Sequence, residues 1–168
     1  YETALDKNPA NYTSLSPLSF IQRTRDVYPE RTAVIYGERR YTWKQSYERT
    51  VRLASALVKA GINQGDTVTV MSPNIPELFE AHFGVPMCGA VLSALNIRLD
   101  AATIAYILDH SDSKLLITDT QFSPVIKKAI EISGRDDLVI IDIVDDQAVL
   151  GDGEGERLGK LTYEDFIA

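Results

Sequence analysis

The chain holds one cysteine, one tryptophan and two histidines in 168 residues, and each scarcity removes a class of function. A lone thiol, Cys88, can neither close an internal disulfide nor build a Cys-rich zinc site. His82 and His110 stand far apart in the chain, which argues against a self-contained metal centre. No apolar run reaches the ~18–20 residues that span a bilayer, and the first residues lack the basic-then-apolar order of a signal peptide. A cytoplasmic protein is expected. Basic charge is short as well: 17 Lys and Arg face 24 Asp and Glu, for a net charge of −7. The deficit is local, because residues 136–168 carry two basic and ten acidic side chains. Such a segment repels nucleic-acid phosphates. Asp145–Asp146 and the run Gly151–Glu156 read as a solvated loop, since the ligand order of an EF-hand is absent.

What remains is the composition of an ordinary globular chain, with 45% hydrophobic and 24% charged residues. A chain of this size forms one domain and can bury about 70% of its unfolded surface without metal or disulfide. Residues 1–31 read as a turn-rich arm followed by a short helix with Leu18, Phe20, Ile21 and Val27 on its stripe. Residues 32–43 read as a β-hairpin turning at Gly37, with Tyr36, Tyr41 and Trp43 as cross-strand packing residues. Thr42 and Gln45 fit a capping box at the head of a helix whose inner face is Tyr47, Val51, Ala54, Leu57 and Val58. Gly61 falls where a left-handed C-terminal residue is needed.

From there strand and helix alternate through residue 144. Strands are expected at Val68–Met71, Ala90–Leu95, Lys114–Thr118 and Leu138–Val144. Between them lie helices opened by Pro76, capped by Asp100, and capped by Asp119 or Thr120, with Pro86 kinking or ending the first. Continuous apolar strands between amphipathic helices indicate an α/β fold, a doubly wound parallel sheet layer with flanking helices. An acidic loop, 145–160, and the opening turns of a helix, 162–168, follow.

Catalytic patterns are absent. The only Gly-rich stretch, Gly151–Gly159, matches neither dinucleotide nor Walker spacing, and its acids oppose a triphosphate. His110-Ser111-Asp112 offers triad residue types, but adjacent side chains do not converge, so His110 reads as a helix-end residue facing the dipole. His82 reads as a packed histidine and Cys88 as a small buried hydrophobe. Lys127 and Lys128 read as a solvated helix face.

Gly65-Asp66-Thr67-Val68-Thr69-Val70-Met71-Ser72-Pro73-Asn74-Ile75-Pro76-Glu77 resembles a stretch near the front of AMP-forming acyl-CoA synthetases, within the adenylate-forming superfamily. Tyr41-Thr42-Trp43, Leu57–Ile62, Gly89-Ala90-Val91, Leu95–Leu99, Tyr106–Ser111 and Leu116–Asp119 follow the same family order. The wording Ala94–Leu99 is similar to the branch of short- and medium-chain fatty acid and methylmercaptopropionate-CoA ligases. The resemblance implies an N-terminal fragment of a longer ligase using ATP, Mg2+ and CoA on a carboxylic acid. The family's phosphate loop, ribose-binding Asp and catalytic Lys match no position here, so the resemblance implies no catalytic residue in this chain and no activity of the fragment alone. It implies one binding residue, Lys127, toward the CoA phosphates. The rest of the same polypeptide is the implied partner, and a homodimer is left open. A free-standing α/β ligand-binding or regulatory module, and a scaffold dimerising through the same face, are the alternatives.

Overall fold

The computed structural model describes residues 6–147 and 155–168. After a turn at Asn8–Asn11, α1 runs Pro17–Val27 and starts at Ser16, whose hydroxyl accepts from the Leu18 N–H. The hairpin follows as β1 (Thr32–Tyr36) and β2 (Arg39–Thr42). Then come α2 (Trp43–Lys59), β3 (Thr67–Met71), α3 (Pro76–Met87), β4 (Val91–Ala94) and α4 (Ala101–His110). The chain continues as β5 (Ser113–Asp119), α5 (Ser123–Ser133), β6 (Val139–Ile143), β7 (Leu161–Thr162) and α6 (Tyr163–Ile167).

Five strands form one sheet in the order β4-β3-β5-β6-β7, all parallel. Alternation along each strand divides the core in two. Val68, Val70, Leu115, Ile117, Ile141 and Ile143 face α2, α3 and α6. Met71 and Leu116 face the other way, onto Ile104 and Leu108 of α4 and Ile126 and Ala129 of α5. Both faces are covered, which is why the central strands read as unbroken apolar runs.

Local signals set several boundaries. Thr42 and Gln45 close the capping box that opens α2. Asp100 accepts from the Thr103 N–H at the head of α4. Gly61 adopts φ +89° just past α2, a conformation that would strain a side chain there. Pro86 is accommodated in the last turn of α3, which ends one residue later.

Four expectations change. The inner face of α2 is Ser46, Arg49, Thr50, Leu53 and Leu57 with Ala54, whereas Val51 and Val58 are exposed. A fully paired arginine, invisible to hydropathy, rotates the buried stripe. Trp43 opens α2 instead of lying in the hairpin, and the two tyrosines do not pair with each other: Tyr36 sits opposite Arg39, and Tyr41 opposite Val34. Asp145 is not solvated, because its carboxylate is fully buried against Arg39. Finally, β7 lies in a stretch read as loop and helix start; it exists because Asp142, fully buried on β6, accepts from the Leu158 and Gly159 N–H groups and draws the chain back to the sheet. Of the acidic run Gly151–Glu156, residues 151–154 lie outside the described residues, and Glu156 is exposed.

Candidate functional site

In an open parallel sheet, ligands gather outside the carboxyl ends of the strands where the strand order reverses. Here the reversal is between β3 and β5, since β4 lies to one side and β6 and β7 to the other. The segments emerging there are Ser72–Asn74 after β3, Asp119–Gln121 after β5 and Val144–Asp145 after β6.

This edge is acidic and buried. Asp119 is fully buried. Its Oδ1 accepts from the Gln121 N–H at 3.0 Å, while Oδ2 has no partner among the described residues. Burial pushes its carboxyl above the ordinary range against that backbone bond, and the nearby Asp145 and Glu77 charges add to the rise. Glu77, in the first turn of α3, is 4% exposed. Its Oε1 accepts from Arg39 at 2.7 Å, and its Oε2 has no partner among the described residues. Arg39 also reaches Asp145 at 3.4 Å. Tyr36 donates to Asp145, and burial followed by that bond pushes its phenol up to about 12.

A second network locks the elements behind this edge. Arg49 donates through Nε to Glu80 and through both terminal nitrogens to Glu164, at 2.9 and 2.6 Å. The Tyr163 hydroxyl donates to the other Glu80 oxygen at 2.7 Å. One guanidinium thus joins α2, α3 and α6.

Beside the acidic edge runs an apolar groove of about 640 Å³ between β1 and α3. Residues 33–36 form one wall, and Leu78, Phe79, His82 and Phe83 form the other. Phe79 and Phe83 meet edge-to-face with centroids 5.2 Å apart.

The residues singled out from sequence do not converge. Lys127 lies on the exposed side of α5 with Nζ 2.8 Å from Glu156, a bond that raises its pKa. His110 stacks on Tyr106, Ser111 follows the end of α4, and Asp112 pairs with Lys114, so the three form no triad. His82 is exposed instead of packed, with Nδ1 against the Leu78 carbonyl oxygen. Cys88 is half-buried and donates to the Val85 carbonyl at 3.1 Å. Among the described residues no three His, Cys, Asp or Glu side chains gather as a metal site. Sequence reasoning missed the two carboxylate networks. The available signal was Glu77 and Glu80, three apart on a helix otherwise rich in apolar side chains, where a buried acid needs a partner.

The arrangement is a wall of buried carboxylates held by Arg39, Tyr36 and the Gln121 N–H. The profile of the family described as AMP-binding enzyme matches residues 21–163. The chain belongs to the AMP-binding enzyme family.

An acetate/butyrate–CoA ligase of Arabidopsis thaliana, named as peroxisomal, is 44% identical over 98% of this chain and 30% of its own length. An acetate–CoA ligase of Humulus lupulus is 48% identical over 79% of this chain and 23% of its own. Among solved structures, an anthranilate CoA ligase bound to anthranoyl-AMP superposes with TM-score 0.76 at 26% identity, covering 89% of this chain and 27% of that one. This member of the AMP-binding family therefore spans less than a third of the length of the relatives named here. No helix among the described residues is long and apolar enough to cross a membrane.

Proposed function

We propose that the protein to which this AMP-binding segment belongs is an AMP-forming carboxylic acid–CoA ligase, with residues 1–168 as its N-terminal portion. The match over residues 21–163, joined to 44–48% identity with CoA ligases, carries this reading. In the proposed reaction a substrate carboxylate oxygen attacks the α-phosphorus of ATP. A P–O bond forms, the bond to the bridging oxygen of the β-phosphate breaks, and pyrophosphate leaves. The CoA thiolate then attacks the acyl carbon, a C–S bond forms, and AMP leaves with the C–O electron pair. Both steps need positioned positive charge and dipoles around phosphoryl and acyl oxyanions.

In this reading the described residues form the scaffold edge against which those groups would be placed. Mg2+ would enter this reaction on the ATP phosphates, as is usual for that ion. Within the proposal, residues 1–31 are an arm, 32–168 are part of the ligase's α/β domain, and Lys127 contacts a CoA phosphate after releasing Glu156. The acid is a monocarboxylate whose identity is set outside this segment: an acetate/butyrate ligase and a benzoate ligase of Arabidopsis thaliana are both 44% identical to it. A cytoplasmic location and a homodimer complete the proposal, tested by imaging the tagged full-length protein and by its mass in solution.

The test of activity is AMP release by the full-length protein with ATP, CoA and a panel of short aliphatic and aromatic acids. Release with at least one acid is expected, and none with any acid refutes the reading. Lys127→Gln is expected to raise the KM for CoA and leave the KM for the acid unchanged.

A further inference from the structure

Residues 155–159 lie as a strap against the Thr120 backbone, the head of α5 and β6 before the chain enters β7. Its backbone is pinned independently of any ion pair. The Glu156 N–H donates at 2.9 Å to the hydroxyl of Ser123, which is 1% exposed in the first turn of α5. The Leu158 and Gly159 N–H groups donate at 3.1 and 2.8 Å to the Asp142 carboxylate, and Leu158 packs against the core beneath α4 and α5. A Cβ at Gly155 would strike the Thr120 carbonyl, and one at Gly159 the Ile140 carbonyl, so the strap lies directly on its neighbours.

Between these pins the strap carries one acid, Glu156. Its Oε1 accepts from Lys127 Nζ at 2.8 Å. An ordinary surface pair is weakened by the entropy of ordering two long side chains. Here both backbones are already fixed, one within α5 and the other by the bond to Ser123, so less remains to be ordered. The ammonium therefore starts with an anion in place. A phosphate arriving at Lys127 exchanges one charge-assisted bond for another and gains only the difference.

We propose that Glu156 is a tethered competitor for Lys127, a residue that sets CoA affinity by occupying the place of a phosphate oxygen until CoA displaces it. The inference rests on the reading of Lys127 as a CoA phosphate contact and deepens it by naming what holds that place beforehand. Displacement is a rotation of the Glu156 side chain, because the backbone bonds to Ser123 and Asp142 hold the strap whether or not Lys127 is engaged. A ligand whose partner is free for only a fraction of the time binds more weakly by that fraction. For an exposed ion pair the loss is about two- to fivefold.

Calorimetric titration of the full-length protein with CoA tests this. Glu156→Ala keeps the backbone bond to Ser123 and is expected to lower the Kd for CoA about two- to fivefold. Lys127→Gln is expected to raise it, and the double variant to match Lys127→Gln, because a competitor with no lysine to occupy blocks nothing. Asp146→Asn, which removes an exposed charge from the loop after β6, is expected to leave it unchanged. An unchanged Kd in Glu156→Ala, with binding weakened in Lys127→Gln, overturns the competition and leaves the Lys127 contact standing. A gain from Glu156→Ala that persists without Lys127, or that Asp146→Asn reproduces, reports long-range repulsion and also overturns it. An unchanged Kd in Lys127→Gln refutes the contact itself and the competition with it, as does a wild type to which CoA does not bind.

Discussion

Removing the Arg49 guanidinium should be the most damaging single change away from the hydrophobic core. Arg49 and Glu80 are 7% and 1% exposed, and Glu80 retains only the Tyr163 hydroxyl if the guanidinium is lost. Breaking a buried pair by deleting one partner costs about 3–5 kcal/mol. The bonds to Glu164 add little, because that side chain is 59% exposed and such pairs contribute about 0–1 kcal/mol. Arg49→Met keeps most of the aliphatic packing, so the change isolates the charge. At about 2–4 °C per kcal/mol for a chain of this size, the loss corresponds to a fall of about 6–20 °C in Tm.

The pH dependence has a definite sign. Burial already raises the Glu80 pKa from its ordinary 4.5, although Arg49 and the Tyr163 hydroxyl oppose the rise. The folded state therefore holds this proton more tightly than the unfolded state. That contribution is fully present below about 4.5 and is lost as pH rises through the folded value. Without Arg49 the folded value climbs further and the window widens upward. The deficit of Arg49→Met should accordingly be smaller at pH 5 than at pH 7. Adding Glu80→Gln should recover at least about 1 kcal/mol of the single variant's loss, because the stranded charge is gone. Urea denaturation of the wild type, Arg49→Met and the double variant at both pH values measures all of this. A loss under about 1 kcal/mol that does not change with pH would refute the reasoning.

Gly84→Ala should destabilise by about 1–2 kcal/mol in chemical denaturation, because its Cβ would stand 2.7 Å from Leu53 Cδ2 in the α2–α3 contact; an unchanged midpoint would show that contact to be slack. Thr42→Ala should cost about 1 kcal/mol and speed amide exchange at Gln45, whose N–H bonds to the Thr42 hydroxyl. Asp142→Asn leaves one carbonyl oxygen for two N–H groups. Amide exchange at Leu158 or Gly159 should quicken while the central strands stay protected, and an unaltered pattern would mean that β7 is held by something else.

The parallel sheet was legible because strands buried on both faces must be apolar throughout, as at Val68–Met71 and Leu115–Ile117. Helix starts were legible where a short polar side chain meets free N–H groups, as at Thr42 and Asp100. The buried face of α2 was not, since Arg49 earns its burial from Glu80 on α3 and Glu164 on α6, far along the chain. For the same reason β7 escaped notice: two residues carry no periodicity, and their strand depends on a carboxylate in β6. The candidate site divided similarly. The family was visible in ordered short motifs, while the acidic edge joins Arg39, Glu77, Asp119 and Asp145 from four separate segments, each unremarked by itself.

Substrate-dependent exchange of pyrophosphate with ATP tests the central claim most directly, measured in parallel on the full-length protein and on the 168-residue chain. The full-length protein should exchange with at least one carboxylic acid, and the short chain with none. Exchange by the short chain would place the reacting groups within residues 1–168, and no exchange by the full-length protein with any acid would contradict its assignment as a ligase.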